Sequence, residues 1–147
     1  MNRKALLQYK KTRVSTTSRE RILLMLYDGA IRFVEQARRA IEDGQAHIKG
    51  EKISRAHAII SELNSTLNHD AAPELCDNLQ ALYIYMLEQL TQANRNNDVE
   101  ALGVVSDLLI TLRDAWEEVV KQQQQKQTSS GQPTRLATSV TVAAGKR

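Results

Sequence analysis

An all-α fold, an antiparallel up-down four-helix bundle, is predicted by three observations. Four segments repeat apolar residues at alternating steps of three and four. Six Gly and two Pro in 147 residues leave few places for tight turns. The apolar residues are mainly Leu, Ile, Val and Ala, with only 4% aromatic, so an aliphatic core of good helix formers is expected.

The first helix is expected from Ser18. Ile22, Leu26, Ala30, Phe33, Ala37 and Ile41 form its stripe. Thr17 and Glu20 have the spacing of a capping box, and Ser18 is an equally good cap. Gly44, just past the last apolar position, suits the left-handed residue that ends a helix. The second helix carries Ile53, Ala56, Ile60, Leu63 and Leu67, and Asn68–Pro73 then breaks the pattern. Pro73 fits the first turn of the third helix, whose stripe is Leu75, Leu79, Leu82, Met86, Leu90 and Ala93. Asp98 is a good N-cap for the fourth helix, which places Leu102, Val105, Leu109, Leu112, Trp116 and Val119 on one side. Such seams belong to helices packed nearly side by side, and short loops between them give an antiparallel bundle.

The domain reading is an N-terminal arm at 1–17, a bundle at 18–121 and a tail at 122–147. Asn2–Lys11 can form a short helix with Leu6, Leu7 and Tyr9, followed by an extended link holding Val14. The Gln-, Ser- and Thr-containing tail has too little apolar surface to fold and is expected to be disordered. Residues 1–21 hold seven Lys/Arg and one acid, and 121–147 hold five and none. With +3 overall, the body between them is therefore −8. Basic ends on an acidic body do not match a folded nucleic-acid reader. One cysteine, no apolar stretch after Lys4 and no run of ~18 apolar residues lead to the expectation of a soluble, cytoplasmic protein without membrane insertion.

Chemistry is not visible. A bundle di-metal site needs Glu three residues before His, and His47, His57 and His69 lack that partner. Cys76 has no basic neighbour to activate it and reads as a small buried or half-buried helix residue. The glycines form no phosphate cradle. No catalytic residue, metal or cofactor is expected, so the chain reads as a protein-binding module rather than an enzyme.

The unusual stretch is Leu23-Leu24-Met25-Leu26-Tyr27-Asp28-Gly29-Ala30-Ile31-Arg32-Phe33. It is apolar nearly all round at first, then places Gly in mid-helix at a cost of about 1 kcal/mol against Ala. Gly29 either admits a neighbouring helix of the same chain or floors a groove for a foreign one. Tyr27 is either an interface residue or a buried one with its hydroxyl satisfied.

The string Leu26-Tyr27-Asp28-Gly29-Ala30-Ile31 resembles the signature of the flagellar secretion chaperones called FliS. Tyr9, Val14, Thr16, Ser18 and Glu20 resemble that family's N-terminal motif, with Arg19 where it usually has Pro and Thr17 where Ala is common. Ile59-Ile60-Ser61-Glu62-Leu63-Asn64, Leu82-Tyr83 with Tyr85-Met86, and Leu112-Arg113-Asp114-Ala115-Trp116 are similar to it as well, so the resemblance spans residues 5–120. It implies a chaperone that binds the C-terminal segment of flagellin, blocks premature polymerisation and presents the client to an export-gate component of the flagellar type III apparatus. It further implies an N-terminal arm that covers part of an apolar groove when no client is bound. Candidate flagellin contacts are Leu6, Tyr9, Val14, Leu23, Leu26, Tyr27, Asp28, Gly29, Ala30, Tyr83 and Tyr85. A monomer or weak homodimer is expected, with no nucleic acid bound. The alternative is a helical module that self-associates without a flagellin client.

Overall fold

A computed structural model describes residues 19–131, with side chains to residue 126. Four helices fill it: α1 Arg19–Glu42, α2 Ala46–Ser65, α3 Pro73–Asn96 and α4 Val99–Gly131. Each packs on two neighbours, α1 and α3 both lying against α2 and α4, and the backbones of the diagonal pairs stay apart. Contacts between α1 and α4 fix their opposite directions. Arg38 stands beside Gly103, Asp28 bonds Arg113, and Glu20 lies 3.5 Å from Gln123. Residue numbers rise along one helix as they fall along the other.

The helix ends follow local chemistry. Gly44 takes φ +70°, Gly44 N–H reaches Ile41 O at 3.1 Å and Gln45 N–H reaches Ala40 O at 2.8 Å. These two bonds satisfy the last carbonyls of α1 in a Schellman turn. Pro73 opens α3, where its missing N–H has no partner to lose. Asp98 accepts the Ala101 N–H at 3.1 Å and caps α4, as expected. The expected caps Thr17 and Ser18 lie outside the described residues.

The core is aliphatic. Ile53, Ala56, Ile60 and Leu63 of α2, Leu79, Met86, Leu90 and Ala93 of α3, and Leu102, Val105 and Leu109 of α4 are all buried. Three positions depart from the expected stripes. At the end of α4, Val120 rather than Val119 is buried. Ile22 is 50% exposed and Leu75 52% exposed. Tyr27, Ala30, Val34 and Ala37 carry the core face of α1, and Cys76 takes the inward position beside Leu75. In α1 the run Leu23–Leu26 is apolar on every side, so periodicity allowed two stripes one residue apart. The tail boundary is also corrected. Helix α4 continues to Gly131, ten residues beyond the expected end at 121. Its side chains from Lys121 to Lys126 are exposed, so as far as Lys126 this extension is a solvated helix and not bundle core.

A candidate client-binding surface

The four seams between neighbouring helices differ in charge. On the α1–α4 seam, Arg113 bonds Asp28 at 2.7 Å and Glu117 at 3.0 Å, and Arg38 pairs with Glu35 at 3.0 Å. The α1–α2 seam carries Arg32, Lys52 and Arg55 around the Phe33 ring. The α2–α3 seam is a shallow depression lined by His57, Ile84, Leu87, Glu88 and Thr91, and Arg95 closes its end. At that end Lys49, buried, donates to Asn94 O at 2.9 Å and Asn97 Oδ1 at 2.8 Å, tying α2 to the α3–α4 turn.

The α3–α4 seam is different. Ile84, Leu87 and Thr91 mark the flank of α3 that faces α2, so the opposite flank faces α4: Leu75, Asn78, Leu82, Tyr85 and Gln89. Gly103 and Arg113 mark the flank of α4 that faces α1. Its opposite flank holds Ala101, Val104, Leu108, Leu112, Ala115 and Val119. Neither row contains a charge. Leu75, Tyr85 and Val104 are exposed to 52, 42 and 38%, and Leu82, Leu108 and Leu112 are half-buried on the core. At its end Gln92 of α3 donates to the Asp98 carboxylate at 2.9 Å, but the two rows themselves are uncharged, and such an apolar strip is a candidate interaction site.

The sequence-predicted contacts do not gather there. Leu6, Tyr9 and Val14 lie outside the described residues. Tyr27 and Ala30 are fully buried, Gly29 is buried and Tyr83 is 1% exposed, so in the chain by itself these four belong to the core and offer no surface to a client. The hydroxyls of Tyr27 and Tyr83 hydrogen-bond to each other across the bundle axis, joining the diagonal helices α1 and α3. Burial holds both phenols above the ordinary tyrosine range; for Tyr27 the bonds from Tyr83 and the Trp116 indole oppose this in part. The pair is therefore neutral, and it satisfies polar atoms that the aliphatic core would otherwise strand. A Cβ on Gly29 would meet Ile59 Cδ1 at 3.4 Å, so the helix that Gly29 admits is the chain's own α2. Leu23 and Leu26 are half-buried against the core, and exposed Asp28 is engaged by Arg113. Only Tyr85 falls on the uncharged seam.

The missed residues were Val104 and Leu108. They sit beside the inward stripe of α4, and the uncharged row they complete becomes visible only when both flanks of each helix are read. Cys76, with its thiol 3.3 Å from Asn68 O, is the small buried helix residue expected. No helix among the described residues is long and apolar enough to cross a membrane.

Comparison with known proteins accords with this architecture. A solved structure described as a flagellar chaperone from bacteria superposes with a TM-score of 0.69, covering 81% of this chain and 97% of that one, and at 18% identity it speaks for the fold alone. The flagellar secretion chaperone FliS of Bacillus subtilis is 36% identical over 123 residues, covering 84% of this chain and 91% of the relative. That of Vibrio cholerae is 35% identical, covering 80% and 89%, and that of Escherichia coli 37%, covering 71% and 78%. The family described as flagellar protein FliS matches residues 1–123. With a matching fold, this identity and this coverage, the chain belongs to the FliS family of flagellar secretion chaperones.

Proposed function

We propose that this chain binds the C-terminal segment of flagellin in the cytoplasm and delivers it to an export-gate component of the flagellar type III apparatus. The uncharged α3–α4 seam carries the site reading. An amphipathic client helix can lay its apolar face between Leu82 and Tyr85 on one side and Val104 and Leu108 on the other. A client that orders on binding gives up conformational entropy, and a long apolar trough offsets that cost. Release needs no bond chemistry, only competition or unfolding at the gate, which accords with a chaperone rather than an enzyme.

The test is co-purification with flagellin, repeated with flagellin lacking its C-terminal segment. Only the intact client should be retained. The double variant Y85D/V104D places charge on the seam at exposed positions. It should weaken binding at least ~10-fold, about 1.4 kcal/mol, with little change in melting temperature. Full retention of the client by this variant would remove the α3–α4 seam from the proposal. Retention of truncated flagellin would remove the C-terminal segment. Concentration-dependent dimerisation with no client retained would leave a self-associating module instead.

A further inference from the structure

Phe33 lies half-buried on α1 beneath three cations. The Arg32 and Arg55 guanidinium carbons stand 5.3 and 5.7 Å from the ring centroid, and the Lys52 ammonium 5.6 Å. Residues 22–120 hold eight Lys/Arg against sixteen acids, yet three of the eight converge on one ring. Others have clear partners: Arg38 has Glu35, Arg113 has Asp28 and Glu117, and Lys49 has Asn94 and Asn97. Among the described residues, the nearest carboxylate to this cluster is that of Glu51, 3.9 Å from Lys52, and neither Arg32 nor Arg55 has one within 4.0 Å. Like charges at this range repel even in water, and the ring's negative face offsets that only in part. Positive charge is thus concentrated and left largely uncompensated on an acidic body.

The same face continues differently toward the start of α1. Ile22 and Met25 are 50 and 70% exposed on the flank that also holds Gly29 and Phe33. Met25 lies seven residues, roughly 10 Å, before Arg32. Along this groove an apolar patch is therefore followed by a basic one.

We propose that the α1–α2 face docks an acidic amphipathic helix of a partner protein, its carboxylates on Arg32, Lys52 and Arg55 and its apolar residues on Ile22 and Met25. Charge complementarity selects the occupant. Lys52 and Arg55, three apart on α2, match carboxylates one helical turn apart. The apolar half argues against a nucleic acid, whose backbone has no use for Met25, and the Phe33 ring is covered by cations and closed to base stacking. This face is separate from the α3–α4 seam, so the proposal stands apart from the client reading.

The probe is a fluorescein-labelled Leu/Ala-rich helix of about 18 residues with Glu pairs at i, i+4 at one end of its apolar face. Its binding to the full chain is compared with that of a Glu→Gln peptide and of a single-stranded oligonucleotide, by anisotropy at two salt concentrations. The Glu peptide should bind at least ~10-fold tighter than the Gln peptide, an advantage that falls with salt. R32Q/K52Q/R55Q should abolish that advantage, while M25S should weaken both peptides alike. The single exposed-site swap R55E should weaken the Glu peptide and strengthen a Lys-bearing one, which keeps the test decisive should the triple variant misfold. Amide shifts should centre on α1 and α2. Equal binding of the Glu and Gln peptides, tighter binding of the oligonucleotide, or shifts confined to Tyr85 and Val104 would each overturn the proposal.

Discussion

Tyr27 and Tyr83 show how much a single pair of side chains can decide. Each hydroxyl is buried, and each is the other's partner. Removing the Tyr27 hydroxyl strands that of Tyr83, at about 1–3 kcal/mol, and removing the Tyr83 hydroxyl leaves Tyr27 only the Trp116 indole, whereas removing both leaves two rings in an apolar core. Y27F is therefore expected to destabilise by that amount and Y83F by less, and the double variant by less than their sum. A double-mutant cycle in urea checks this, and strict additivity would mean that the hydroxyls do not couple. The pair also sets an alkaline limit. Both phenols are raised by burial above the ordinary value of 10.0, so the folded chain keeps its protons where the unfolded chain loses them. The unfolded state then binds fewer protons, and stability, fully present below pH 10, falls as pH rises further. Melting temperature should decline above that pH in the wild type and in Y85F, and more gently in Y27F/Y83F. A decline of equal slope in all three would assign the alkaline loss to other groups. The sequence left Tyr27 open between interface and core because a tyrosine suits both. Its partner, 56 residues away, is fixed only by the fold.

At the scale of the helix, the readable features were those written in local chemistry. Gly44, Pro73 and Asp98 mark ends because a left-handed φ, a missing N–H and a short carboxylate each solve a problem that every helix end has. The stripe of α2 was legible for a similar reason, since Lys52, Ser54, Arg55, His57, Glu62 and Asn64 flank it closely enough to leave one inward register. That of α1 was not: Leu23 to Leu26 offer apolar side chains in every direction, and the choice fell to Tyr27 because Tyr83 waits across the axis. Gly29 belongs at this scale too. It lets α1 approach α2, yet the space beside it is not fully used, since an added methyl would sit 3.4 Å from the flexible end of Ile59. Helix propensity favours Ala over Gly by about 1 kcal/mol. G29A is therefore expected to raise the urea midpoint, by up to that amount in stability, while G29L should lower it by driving into Ile59. A stabilised G29A with weakened flagellin binding would assign the glycine to the client. A destabilised G29A would show that α1 and α2 have no slack at this point.

For the whole molecule, position along the chain and contribution to stability separate at the C-terminus. Val120 is the last buried residue among the described side chains of α4, and Lys121 to Lys126 are exposed although the helix runs on to Gly131. The composition of this stretch, rich in Gln and poor in apolar residues, correctly indicated that it adds nothing to a core. It did not indicate coil, because Gln is a good helix former and an established helix extends one hydrogen bond per residue without a new nucleus. Such an extension stays helical because the bundle holds its beginning. Ending the chain after Lys121 should then remove helical circular-dichroism signal and leave the melting temperature within about 2 °C, since the side chains described beyond it, 122 to 126, are all exposed. Cutting four residues earlier, after Glu117, should behave differently. It deletes buried Val120 and half-buried Val119 from the end of the bundle, and a loss of roughly 2–4 kcal/mol follows from their apolar area. A large drop on ending at Lys121 would mean that the polar extension packs on the chain's own body, and the boundary of the folded unit would move outward to Gly131.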